Sequence, residues 1–188
     1  MIDRPWIQTF SGVKFNPLDP DPKDILIDDI AHALARQCRF SGHVRGFYSV
    51  AEHSVRVSYL SDSQDALWGL LHDASEAYLV DIARPIKQLP EMEAYRKAEE
   101  RLQQLILEKF GLHGEQPESV TRADKGMLAI EACDLMGPLS PGWEQRLDAI
   151  GTREMKMRIV RPWSIEESEA RFLARFAELY PGDTWASA

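Results

Sequence analysis

The stretch LLHDASEAYLVDIARPIK places His72 beside Asp73, Glu76 three residues on, and Asp81 eight residues past Asp73. Imidazole with carboxylate suits a divalent cation such as Mn, Fe, Co, Ni or Zn. Neighbouring residues on a regular helix point about 100° apart. His72 and Asp73 can therefore share a cation only if one side chain reaches further or the helix distorts. Several acids after an apolar helix are costly to bury without a positive partner. His53, in YSVAEHSVRV, is set among Val50, Ala51 and Val57. Further on, RADKGMLAIEACD supplies Asp124, Glu131 and Asp134. Asp124 and Glu131 are seven residues apart, so they share a helix face with Leu128.

Each of these residues also has an ordinary use. His72 could cap a helix with the acids solvated, and His53 could be a core histidine. Asp124 could sit as a charge near a helix start or pair with Arg122 or Lys125. In series the pattern is more specific: His53, then His72-Asp73, then Asp124, each on its own expected helix.

That series resembles the HD-domain metal-dependent phosphohydrolases, and more narrowly the bacterial HD-domain 5'-deoxynucleotidases and small phage-type dATP triphosphohydrolases. The resemblance spans roughly residues 10–134. It rests on RFSGH, YSVAEHS, HDASE with Asp81 after it, PIK and RAD, in that order. PLDPDPKDILIDDIAHAL resembles the phage-type branch more closely. The resemblance implies an all-α HD-domain bundle in which His53, His72, Asp73 and Asp124 hold one divalent cation (Mn, Co, Zn, Fe, Ni or Mg), with Asp134 as the second choice for the fourth ligand. It implies Glu76 and Asp81 as catalytic acids, and Arg39, His43 and Lys87 as substrate contacts. Arg39 could equally satisfy carbonyls at a helix end, and His43 could be a turn residue. Where relatives carry a lysine three residues before the metal aspartate, this chain has Thr121, with Arg122 next to it.

The expected activity is phosphate release from deoxyribonucleoside 5'-monophosphates. Two alternatives stay open: a triphosphohydrolase releasing tripolyphosphate, and a nucleotide-binding regulator without catalysis. The relatives' assembly implies a homo-oligomer, dimer or larger.

Helices must position these groups. Apolar spacing predicts helices over residues 27–38, 48–61, 66–79 (capped by Asp62 or Ser63), 90–110 and 118–136, with a last one over 164–180 started by Ser164. Gly111 ends the fourth of these. Residues 1–23, with four prolines, read as an irregular arm with a hairpin around Ser11-Gly12. The segment around Pro85 reads as a loop, MKMRIVRPW as extended, and residues 137–163 as an ordered excursion. The division is one HD domain over 1–188: the arm, a metal-site core over 24–136, and the excursion with a final helix over 137–188. Trp68, Phe40 and Phe47 are expected in the core, with Trp6 and Phe15 better placed to stack on a base. The Glu93-Lys97-Arg101 stripe reads as a solvated face.

Composition bounds the rest. The chain has 188 residues, 44% hydrophobic and 28% charged, which excludes a mainly disordered chain. Apolar runs are far shorter than the ~20 residues of a membrane-spanning helix. A net charge of −8 argues against broad binding to nucleic-acid backbones. It leaves room for a nucleotide, since one or two buried arginines can hold a phosphate. Cys38 and Cys133 form no framework and the first residues lack a leader pattern, so a cytoplasmic setting is expected. No GxxxxGK[ST] or HExxH is present.

Overall fold

Serine hydroxyls start two of the helices. Ser49 Oγ accepts from Glu52 N (3.0 Å) and opens α2, Val50–Leu60. Ser164 Oγ does the same for Glu167 N (3.1 Å) at the last helix, Ile165–Leu179. Each meets an otherwise unpaired N–H of the first turn. The computed structural model describes residues 5–150 and 157–180. It is mostly helical, with one two-stranded ribbon.

That ribbon lies in the arm. Strand β1, Ile7–Gln8, pairs antiparallel with β2, Lys14–Phe15, with Ile7 opposite Phe15. Gly12 takes the positive φ of 82° that the hairpin needs. Helix α1, Ile27–Arg36, receives the arm: Ser11 N donates to Asp29 Oδ1 (2.7 Å), and Phe10 stacks on His32 at 3.6 Å. Phe15 is a core residue rather than a free stacking surface, being buried against Tyr78 at 4.1 Å.

The apolar run after Asp65 does not form one helix. It folds as α3, Ala66–Leu71, then a turn over residues 72–75, then α4, Glu76–Leu79. Neither Asp62 nor Ser63 caps α3 through its side chain. Around Pro85 there is a short helix, α5, Arg84–Lys87, rather than a loop; Pro85 stands in its first turn, where its missing N–H costs nothing. Then follow α6, Glu93–Lys109, and α7, Glu118–Leu135. Gly111, at φ 77°, turns the chain out of α6.

Residues 137–163 include a helix the sequence reading did not contain, α8, Pro141–Ile150. The extended segment expected over 155–163 carries no strand in its described part, 157–163; residues 155 and 156 lie outside the described residues. The last helix, α9, runs Ile165–Leu179.

Helix α2 is the hub and packs against α1, α3, α7 and α9. That is why both its apolar and its polar side chains are buried, His53 and Glu52 among them. Phe172 and Phe176 of α9 close the core. Trp68 joins it; Phe40 is half-buried, while Phe47 is exposed because its segment runs outside the helices. Among the described residues no helix is long and apolar enough to cross a membrane.

Candidate metal centre and neighbouring acids

His53 and His72 meet with their Nε2 atoms 3.2 Å apart. Each ring is fixed from behind. His53 Nδ1 donates to Glu131 Oε1 (2.6 Å), and His72 Nδ1 donates to the Gly69 carbonyl (2.8 Å). Both partners accept only, so both Nε2 atoms are left to face one point. Asp73 Oδ2 lies 3.2 Å from His72 Nε2 and 3.7 Å from His53 Nε2. These three residues form a group able to hold a metal ion. Asp124 Oδ1 lies outside that group of three but near both histidines, 3.3 Å from His53 Nε2 and 4.0 Å from His72 Nε2.

These spacings suit a cation. Ligands about 2.1 Å from a central ion stand about 3 to 4 Å from one another. Charge agrees. Burial would raise the pKa of Asp73, but His72, His53 and Arg39 bring it well below the ordinary range. Burial likewise opposes ionisation of Asp124 and Glu131; His53 overcomes it for Asp124, and Arg39 with His53 for Glu131. With both histidines neutral, as ligands to a metal must be, three ionised carboxylates against the Arg39 guanidinium leave two negative charges, which a divalent ion would balance; without a metal, a proton on His53 offsets one of them. The histidine feels this field. Burial and Arg39 press the His53 pKa down, yet Glu131 and Asp124 prevail and lift it to about 9.

Glu131 is the central support. It is fully buried on α7 and takes Tyr48 Oη (2.9 Å) and His53 on one oxygen, and Arg39 Nε (3.1 Å) on the other. Arg39 reaches on to Asp73 at 3.6 Å. Its partners are carboxylates, not helix-end carbonyls. The sequence places Glu131 on the face of Asp124, and a buried acid on that face demands a partner; the partner's identity comes from the fold.

Glu76, at the start of α4, is 7% exposed, and its Oε2 has no hydrogen-bond partner. Burial, then the nearby charges of Asp73 and Asp81, push its pKa well above the ordinary carboxylate range. Asp81 is half-buried in the loop beyond. Lys87 is close enough to act on Glu76, but its Nζ is paired with Glu99 at 2.7 Å. His43 closes the turn of Arg39–Gly42 through its backbone N–H, and its ring is exposed.

Asp134, the second choice for the fourth ligand, is elsewhere engaged. It accepts from Arg158 Nε (2.9 and 3.0 Å) and from Ile159 N (2.8 Å). Ten residues beyond Asp124 on a regular helix is about 1000° of rotation, which leaves the two on different faces. Arg122 is exposed, 3.9 Å from both Asp62 and Glu118. Lys97 pairs with Glu93 at 2.6 Å on the solvated face of α6, while Arg101 turns to Asp19.

Comparison with known proteins places the chain. YfdR of Escherichia coli K12, an uncharacterized protein, is 39% identical over 174 residues, covering 93% of this chain and 95% of its own length. The chain belongs to the YfdR family. A second similar protein, uncharacterized and from Rhodobacter capsulatus, is 37% identical over 140 residues, 70% of this chain and 71% of its own. The YfdR alignment spans nearly the whole chain, so the family extends beyond the metal-site core. No protein-family profile matches this YfdR-family chain.

Proposed function

We propose that this YfdR-family chain is an HD-type, metal-dependent phosphohydrolase acting on nucleotides, releasing phosphate from deoxyribonucleoside 5'-monophosphates. The observation that carries the reading is the grouping of His53, His72 and Asp73, with Asp124 3.3 Å from His53 Nε2 and the buried carboxyl of Glu76 just beyond the turn. The order and spacing of the RFSGH, HDASE and RAD motifs support the substrate class.

In this reading the two imidazoles, Asp73 and Asp124 hold the cation. When bound, a divalent ion polarises a phosphoryl oxygen and lowers the pKa of a water. Glu131 keeps His53 in the ligating tautomer. Glu76, whose pKa is raised by burial and two neighbouring carboxylates, moves a proton between the attacking water and the departing sugar oxygen. Asp81 orients that water. Arg39 and Lys87 offer positive charge to the phosphate, each while braced by a carboxylate.

The test is hydrolysis by metal-stripped protein of ribo- and deoxynucleoside mono- and triphosphates, with Mn, Co, Zn, Fe, Ni or Mg added back. Metal-dependent release of phosphate from deoxynucleoside monophosphates is expected. Tripolyphosphate from triphosphates would instead establish the triphosphohydrolase. Glu76→Ala should keep metal and fold but lose hydrolysis by about a hundredfold or more. Full activity in that variant would remove Glu76 from the chemistry. Stoichiometric metal without turnover of any nucleotide would favour a regulator.

A further inference from the structure

Two glutamine amides cross the backbone at the turns that carry the chemistry. In a regular helix the Ser75 N–H donates to the Leu71 carbonyl, four residues back. Here the amide of Gln103, on α6, stands between them. Ser75 N donates to Gln103 Oε1 (2.9 Å), and Gln103 Nε2 donates to Leu71 O (2.6 Å). The Leu71 carbonyl also takes Ala74 N at the tighter spacing (3.1 Å). A side chain inserted into the helical ladder is a recognised cause of a sharp kink, and α3 stops here.

Gln37, just past α1, repeats the device. Its Nε2 donates to Glu76 O (2.8 Å), and its Oε1 accepts from Asp81 N (3.3 Å). Between those residues Val80 sits at φ 68°, ψ 148°, a conformation that a β-branched side chain strongly disfavours. Tyr95 Oη donates to the Val80 carbonyl (2.7 Å) and braces the same turn.

We propose that Gln103 and Gln37 are positioning residues. Gln103 opens the helix so that His72 and Asp73, about 100° apart on a regular one, reach a single cation. Gln37 holds the strained Val80 turn so that Glu76 and Asp81 stay beside it. A primary amide can do both jobs because it offers a donor and an acceptor, standing in for a peptide group. The proposal rests on the metal-dependent reading above, and the two glutamines act on separable parts of it.

The test uses Gln103→Leu and Gln37→Leu in the full chain. Leucine is chosen over alanine at 103 because that residue borders a cavity of about 280 Å³, from which water could replace a truncated amide. Mn²⁺ affinity by calorimetry, amide hydrogen exchange and steady-state turnover are read together. Gln103→Leu should weaken Mn²⁺ binding by about tenfold or more and speed exchange of the Ser75 amide by about tenfold. Gln37→Leu should leave Mn²⁺ affinity within about twofold. It should speed exchange of the Asp81 amide and lower kcat by about tenfold, with KM little changed. If Gln103→Leu does not fold, Gln103→Glu, which keeps the acceptor and loses the donor, is measured instead. Wild-type Mn²⁺ affinity at 103, or unchanged Asp81 exchange and kcat at 37, overturns the proposal. If the wild type neither binds Mn²⁺ nor turns over a nucleotide, the metal-dependent reading fails. Exchange at Ser75 and Asp81 then decides the two amide bridges by itself.

Discussion

Glu131 and Glu76 are both buried carboxyl groups that feel Arg39, yet their pKa values shift in opposite directions for a physical reason. Glu131 faces Arg39, His53 and Tyr48 and is held ionised. For Glu76, burial together with the nearby Asp73 and Asp81 raises the pKa well above the ordinary carboxylate range. Glu131→Gln removes the charge behind His53, and Mn²⁺ affinity measured by calorimetry should fall about 10- to 100-fold. For Glu76 the stability sign follows from its raised pKa. Between the ordinary glutamate value and the raised one, the folded chain holds a proton that the unfolded chain releases, so stability falls as pH rises through that window. Metal-stripped Glu76→Gln should therefore be more stable than wild type at pH 8. The gap should close as pH falls below the ordinary glutamate value, where Glu76 becomes protonated in both states. Thermal melts across pH read this directly; equal melting temperatures at pH 8 would contradict the assigned protonation.

At the scale of elements, the site depends on how closely α2 and α3 approach. Gly69 makes that approach possible, since a Cβ there would lie 2.7 Å from Ser61 Oγ and 3.0 Å from the Ser58 Cα. Gly69 also supplies the carbonyl that fixes His72. Gly69→Ala should cost about 1 to 3 kcal/mol, because backbone on α2 must yield. Denaturant unfolding should show a lower midpoint, and Mn²⁺ affinity should drop with it as His72 shifts. The expected single helix over 66–79 was legible as an apolar period. Its break at residues 72–75 was not, because a side chain on α6 supplies the competing hydrogen bonds.

At the scale of the whole molecule, α9 returns from the far end of the chain to seal α1, α2 and α3. Phe176 is fully buried and meets Phe110 edge-on at 5.0 Å. His32 and Arg36 of α1 both reach Glu169, at 3.1 and 2.6 Å. Phe176→Ala should destabilise the fold by about 3 to 5 kcal/mol, through lost burial and the cavity left behind. The midpoint of denaturant unfolding checks this, with the slope unchanged if the transition stays two-state. The metal group should be intact in the folded fraction, since α9 supplies none of its side chains.

What the sequence determined by itself is mainly local. Helical periodicity, with the Ser164 start and the Gly111 stop, located α1, α2, α6, α7 and α9, because these signals lie within a few residues of the element they start or stop. The order of the motifs singled out His53, His72, Asp73 and Asp124 through the resemblance to HD-domain phosphohydrolases, with Asp134 as the second choice for the fourth. Tertiary structure decided which long-range partners complete them. Asp134 is claimed by Arg158, Phe15 by the core, and Glu131 by Arg39 from 92 residues away. Gln103 and Gln37 were silent in the sequence for the same reason. An amide that repairs backbone 28 or 39 residues away leaves no mark on local periodicity, and only the packing of α6 and α1 against the broken helix brings it there.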